Sequence, residues 1–170
     1  IDIDYDSVND LVAVLTDNTS KSEFKLYKPS GELVKSFALD KRGTGCTINE
    51  SYAAVYLYDS TTFYLFDLSQ MTMEKIELYK HSGNNADDTF HDIRIVSNKV
   101  YAIMSHRNNR GDTNLALYYY DISEKKTVKV KHDNMSYYCA VLVDHEKGYL
   151  TLAELNTVES SRMLVIDCNE

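Results

Sequence analysis

Tryptophan is absent from this 170-residue chain, proline occurs once and glycine six times. With so little Gly and Pro, the turns fall to Asn, Asp and Ser, whose side chains bond their own backbone and tolerate left-handed conformations. No stretch approaches the 18 or so apolar residues that a membrane-spanning helix needs, and no window holds a 3.6-residue period, so helix finds no support. Cysteine is scarce too: Cys46, Cys139 and Cys168 stand 93 and 29 residues apart with no CxxC pair. They read as small hydrophobes buried in strands rather than as a disulfide or metal framework. Positive charge is in deficit, with 18 Lys and Arg against 26 Asp and Glu and a net charge of -8. That balance opposes nucleic acid and acidic membrane surfaces as partners. Catalytic signatures are missing as well, for there is neither a Gly-x-Ser-x-Gly elbow nor a Gly-rich phosphate loop. The chain opens on Ile1 with no signal peptide before it, which reads as a processed or trimmed end and leaves targeting silent.

What is present is tyrosine, fourteen of them beside five phenylalanines, residues that fit the pleated, half-buried surface of a sheet. A hairpin is written four times: Phe24 to Phe37, Thr62 to Leu78, Asn114 to Lys131 and, cut short, Arg162 to Glu170. Each is an apolar run, a polar residue, a short turn and, in the full copies, an alternating run. Small residues recur in the second strands at Ala13, Ala54, Ala102 and Thr151, and the third strands end at Lys28, Asp67, Asp121 and Asp167. A period in the forties built from four-strand units is that of propeller blades. The expected fold is therefore all-β and of β-propeller type, with about four blade-like, four-stranded antiparallel repeats, the last incomplete. The repeats run near 1–39, 46–79, 89–131 and 137–168, in a single domain spanning 1–170 or part of one. A sandwich also has short strands, but it does not repeat one four-strand order along the chain. The fourth strands, MEKIEL and TVKVK, put charge on one face, as outer strands near solvent should.

The third-strand segments FYLFDLS and LYYYDIS resemble the repeat of bacterial six- to eight-bladed propellers, TolB-like proteins among them. The resemblance covers the whole chain at the level of architecture, and it implies a bacterial, extracytoplasmic binding protein. The Trp-Asp and Gly-His marks of WD repeats and the double glycine of Kelch repeats are missing, so no partner is carried over from those families. Three and three-quarter blades leave an open edge, which the rest of a longer chain or a second copy would complete.

Candidate sites lie in the polar links. His81 to Asp92 gathers Asp87, Asp88, His91 and Asp92 between the second and third repeats, where a propeller places ligands. Such groups bind metals or act as acid and base, and a solvated loop has the same composition. His106 to Thr113 adds Arg107 and Arg110, whose guanidinium groups suit an anionic partner; the Arg110-Gly111-Asp112 triplet is what a hairpin turn asks for. Asp2 to Asp10 has oxygens at alternate positions but lacks the Gly and the closing Glu of a calcium loop, since Ala13 stands at the twelfth place. It reads as a hairpin. No metal ligand set, cofactor or catalytic residue is assigned. The function expected is a non-catalytic module that binds a protein, small molecule or carbohydrate. The alternatives are a hydrolase or lyase working from the 81–92 loop, and a purely structural repeat of a larger surface protein.

Overall fold

A computed structural model of the protein describes residues 1–18, 21–58, 60–79, 88–107, 113–130, 139–145, 148–155 and 162–168. These form fifteen β-strands and no helix, in two compact units, Ile1–Glu77 and Leu78–Glu170.

The first unit holds two antiparallel sheets in chain order. One comprises β1 (Asp2–Asp6), β2 (Leu11–Asn18), β3 (Lys21–Tyr27) and β4 (Leu33–Ala38); the other comprises β5 (Gly43–Ile48), β6 (Tyr52–Leu57), β7 (Thr62–Asp67) and β8 (Thr72–Glu77). Successive side chains of a strand point to opposite faces, so Leu11, Ala13 and Leu15 of β2 and Phe24 and Leu26 of β3 share one face. They are buried with Cys46, Val55, Tyr64, Phe66 and other apolar residues of the second sheet. Phe66 lies at the centre, its ring 4.3 Å from that of Phe24 and 4.9 Å, edge-on, from that of Phe37. The outer strands β4 and β8 are largely exposed and carry the charge.

The seam between these sheets is polar as well as apolar. Asp2 and Asp4 of β1 accept hydrogen bonds from the backbone N–H groups of Cys46 (2.8 Å) and Ile48 (2.9 Å) of β5. Their carboxylates thus satisfy amides on the sheet edge that would otherwise be left open. Asp6 accepts from the amides of Val8 and Asn9, so the stretch that carries oxygens at alternate positions is the β1–β2 hairpin.

One strand begins earlier than the sequence suggests. The second repeat opens at Gly43, three residues before Cys46, with a bulge between Gly43 and Gly45. A Cβ on Gly45 would lie 2.4 Å from the Tyr56 ring, and one on Gly43 2.9 Å from Leu15. These glycines are where side chains press on the backbone of a strand, although glycine reads as loop.

The second unit repeats the plan. β9 (Thr89–Val96), β10 (Lys99–Arg107), β11 (Thr113–Asp121) and β12 (Lys126–Lys129) form one sheet, and β13 (Cys139–His145), β14 (Tyr149–Leu155) and β15 (Arg162–Asp167) form a second of three strands among the described residues. Val96, Tyr101, Ile103, Leu115 and Leu117 pack with Leu150, Leu152 and Cys168. Cys46 and Cys168 are buried and reduced; the Cys139 side chain lies outside the described residues.

Three hairpins share one construction. Asp6, Asp67 and Asp121 end their strands and accept amides two or three residues ahead. Four residues after each, Asp10, Met71 and Lys125 take left-handed φ values of 57°, 51° and 51°. The recurring Asp of the sequence is the cap of this turn.

Candidate functional site

The hairpin turns of the first unit build a cleft. Asn9 and Leu11 come from the β1–β2 turn, Lys28 from β3–β4, Glu50 to Tyr52 from β5–β6, and Asp67 to Ser69 from β7–β8, around a cavity of about 450 Å³. Leu11 and Leu68 are buried and give apolar footing, while Glu50, Ser51 and Ser69 are exposed. Backbone caps hold the walls. Asn49 accepts from the amides of Ser51 (3.0 Å) and Tyr52 (2.8 Å), and the Leu68 amide donates to the Ser51 carbonyl at 3.1 Å. The Asn9 side-chain amide donates to the Glu50 carbonyl at 2.6 Å and to Asp6 at 2.8 Å, and the Lys28 ammonium donates to the Asn9 carbonyl at 3.1 Å. Asp67 is held below the usual carboxylate range by the Ser69 hydroxyl first, then by the Gln70 and Ser69 amides. One cation, two carboxylates and several hydroxyls and amides therefore face a shallow, partly apolar space.

The residues expected from the sequence divide differently. Asp87 and Arg110 lie outside the described residues, as does the side chain of Arg107, whose backbone ends β10. Asp88 precedes β9 and is buried, whereas His91 is exposed. The register explains His91: Ile103 faces Asp92 and Met104 faces Phe90, so His91 is the extra residue of a β-bulge. Partial burial of its ring still lowers the pKa of His91 below the ordinary histidine value. Asp92 is buried, accepts the Ile93 amide at 2.8 Å and pairs with Arg94 at 3.2 Å. Among the contacts described, Asp88 and Asp92 do not share partners.

Asp88 joins residues that the sequence did not assign to a site. Its Oδ2 accepts from the Tyr79 hydroxyl at 2.7 Å and lies 3.3 Å from His106 Nδ1. The same hydroxyl is 3.2 Å from His106 Nδ1, and the Tyr118 hydroxyl is 3.0 Å from His106 Nε2. The rings of Tyr79 and Tyr118 stack at 5.2 Å. Burial first, then the Asp88 carboxylate, pushes the Tyr79 phenol far above its ordinary pKa, and Tyr118 is raised by the same two causes. All four groups belong to the second unit. The signal for them was slight: His106 opens a polar stretch, and Tyr118 sits in a run of three tyrosines.

No family model matches this sequence, and no curated protein matches it. Solved structures do. The chain is similar to the acylaminoacyl peptidase of Pyrococcus horikoshii, with TM-score 0.65 and 10% identity over 99% of this chain and 30% of the other. TolB from Acinetobacter baumannii gives 0.55 and 13% over 99% and 41%. An apocarotenoid oxygenase from Synechocystis gives 0.52 and 12% over 98% and 47%. The fold is all-β and of propeller type. The chain spans less than half the length of each of these three proteins, and identities this low speak to architecture alone.

Proposed function

We propose that the chain is a non-catalytic ligand-binding module of propeller type whose first-unit cleft takes a small polar ligand of carbohydrate character. The observation that carries this reading is the cleft itself, where four turns present polar groups around an apolar footing. Leu11, Leu68 and the half-buried Tyr52 suit the C–H faces of a sugar ring, and Asp67, Glu50 and Lys28 suit its hydroxyls. The test is titration calorimetry with a panel of neutral oligosaccharides. Asp67→Asn keeps an acceptor for the turn while removing the charge, and it and Tyr52→Ala are each expected to weaken binding about tenfold, the worth of one charged hydrogen bond or ring contact. Binding that survives both substitutions unchanged, in variants with native circular dichroism, would refute the assignment.

The competing reading, a hydrolase or lyase working from residues 81–92, has less to stand on: His91 sits exposed on a bulge, and Asp92 is engaged by Arg94 and the Ile93 amide. A purely structural repeat of a larger surface protein would leave the cleft without a ligand. We read the chain as one propeller-type domain or part of one, of bacterial, TolB-like kind and extracytoplasmic, with Ile3 and Tyr5 of β1 exposed where further blades or a second copy would pack. Protein mass in solution by light scattering separates these: a concentration-independent monomer argues against the second copy.

A further inference from the structure

We propose that Tyr79, Asp88 and His106 form a binding site for a ferric ion. The three donor atoms come from separate places in the second unit: the residue two past β8, the residue before β9 and the penultimate residue of β10. Tyr79 Oη, Asp88 Oδ2 and His106 Nδ1 stand at the corners of a triangle with edges of 2.7, 3.2 and 3.3 Å. Metal–ligand bonds of about 2.0–2.1 Å in octahedral or tetrahedral geometry put neighbouring donors roughly 2.8–3.4 Å apart. An ion just off the plane of this triangle therefore binds all three with little side-chain movement.

The outer contacts fit the same role. A histidine that ligates through one ring nitrogen ordinarily donates from the other to an oriented acceptor, and here the Tyr118 hydroxyl lies 3.0 Å from Nε2. The Asp88 side chain is 3% exposed and that of His106 26%, so the site is closed around the carboxylate and open beside the imidazole, where water would complete the coordination. No three His, Cys, Asp or Glu side chains converge among the described residues, so the set depends on the phenol. That dependence selects the metal. Calcium and magnesium ask for more oxygens, thiolate-seeking ions find no sulfur, and a phenol, a carboxylate and an imidazole suit a hard, strongly acidic cation. On binding, the Tyr79 O–H bond breaks, its oxygen bonds iron and the proton leaves to solvent.

The test is to load the full chain with ferric citrate, remove excess iron by desalting, and record the visible spectrum and iron content. A phenolate-to-iron charge-transfer band and a single retained ion per chain are expected. Tyr79→Phe should abolish the band, and Tyr118→Phe should keep it while weakening retention severalfold. A colourless protein after loading, or a band of equal strength in Tyr79→Phe, overturns the proposal. Should Tyr79→Phe fail to fold, resonance Raman excitation within the wild-type band decides instead: enhanced tyrosinate ring modes support the site, and their absence overturns it.

Discussion

The two units use the same repeat to place polar groups in opposite settings. In the first, carboxylates end strands and are occupied by the amides of their own turns, so Asp6 and Asp67 stiffen loops whose remaining polar atoms face the cleft. In the second, Asp121 caps its turn in the same way, but Asp88 precedes a strand instead of ending one, and its acceptor is buried against a phenol and an imidazole. A carboxylate at a turn shapes a surface. A buried carboxylate must bring its own partners inside with it, because a buried charge is tolerated only when paired and hydrogen-bonded.

The two units differ first in their cores. Phe66→Ala removes the ring that touches both Phe24 and Phe37 and should cost about 3–5 kcal/mol, against about 2–5 kcal/mol for Ile103→Ala in the second unit, where the core is less aromatic. Urea denaturation measures both, and native-state hydrogen exchange assigns each loss to its unit. A cost for Phe66→Ala well below that of Ile103→Ala would contradict the place given to the phenyl cluster.

The carboxylates differ as well. Asp88→Ala strips the Tyr79 hydroxyl of its buried acceptor and is expected to cost about 1–3 kcal/mol, whereas Asp67→Ala loses a cap open to water and should cost about 1 kcal/mol. Equal costs would mean that the two settings are not as different as their burial indicates. The left-handed turn residues come next. Lys125 is exposed, and Lys125→Gly should stabilise by up to about 1 kcal/mol as the strain at its φ is relieved. Met71 packs against the first core, and Met71→Gly should bring no such gain.

The smallest effect is in pH. Both Asp67 and His91 have pKa values lowered on folding, so in each case the unfolded chain binds protons more readily and stability falls as pH falls. The windows differ. His91 contributes stability above its unfolded value near 6.5, and that contribution is lost as pH falls from there, while the Asp67 contribution is lost only as pH falls below about 4. Amide protection factors, taken relative to the intrinsic exchange rate at each pH, should therefore fall in the second unit between pH 7 and 5, before the first responds, and His91→Asn should remove His91's share of that early step.

Much of the fold was legible because its signals are local. Alternation with period two and an Asp that caps its own turn need only a few consecutive residues, and both repeat. Gly43 and Gly45 misled because the reason for them is not local: Leu15 and Tyr56 press on that backbone from other strands. The sites were harder for the same reason. Asp88 stood out by composition, but His106 and Tyr118 meet only because β10 and β11 pair with Ala102 opposite Tyr118 and His106 opposite Asn114, and the phenol then reaches along the sheet. His91 and Asp92 are neighbours in one strand, where successive side chains part, and His91 sits on a bulge that no residue type announces. The cleft was missed altogether, since Asn9, Lys28, Ser51 and Ser69 each read singly as ordinary turn residues and converge only when two sheets pack.

The most direct test of the cleft as the binding site is an amide chemical-shift titration of the isotopically labelled chain with the tightest-binding sugar of the panel. Shifts concentrated at Asn9, Lys28, Ser51, Tyr52, Leu68 and Ser69, saturating together, are expected. Saturable shifts elsewhere, with these six amides unmoved, would contradict the assignment.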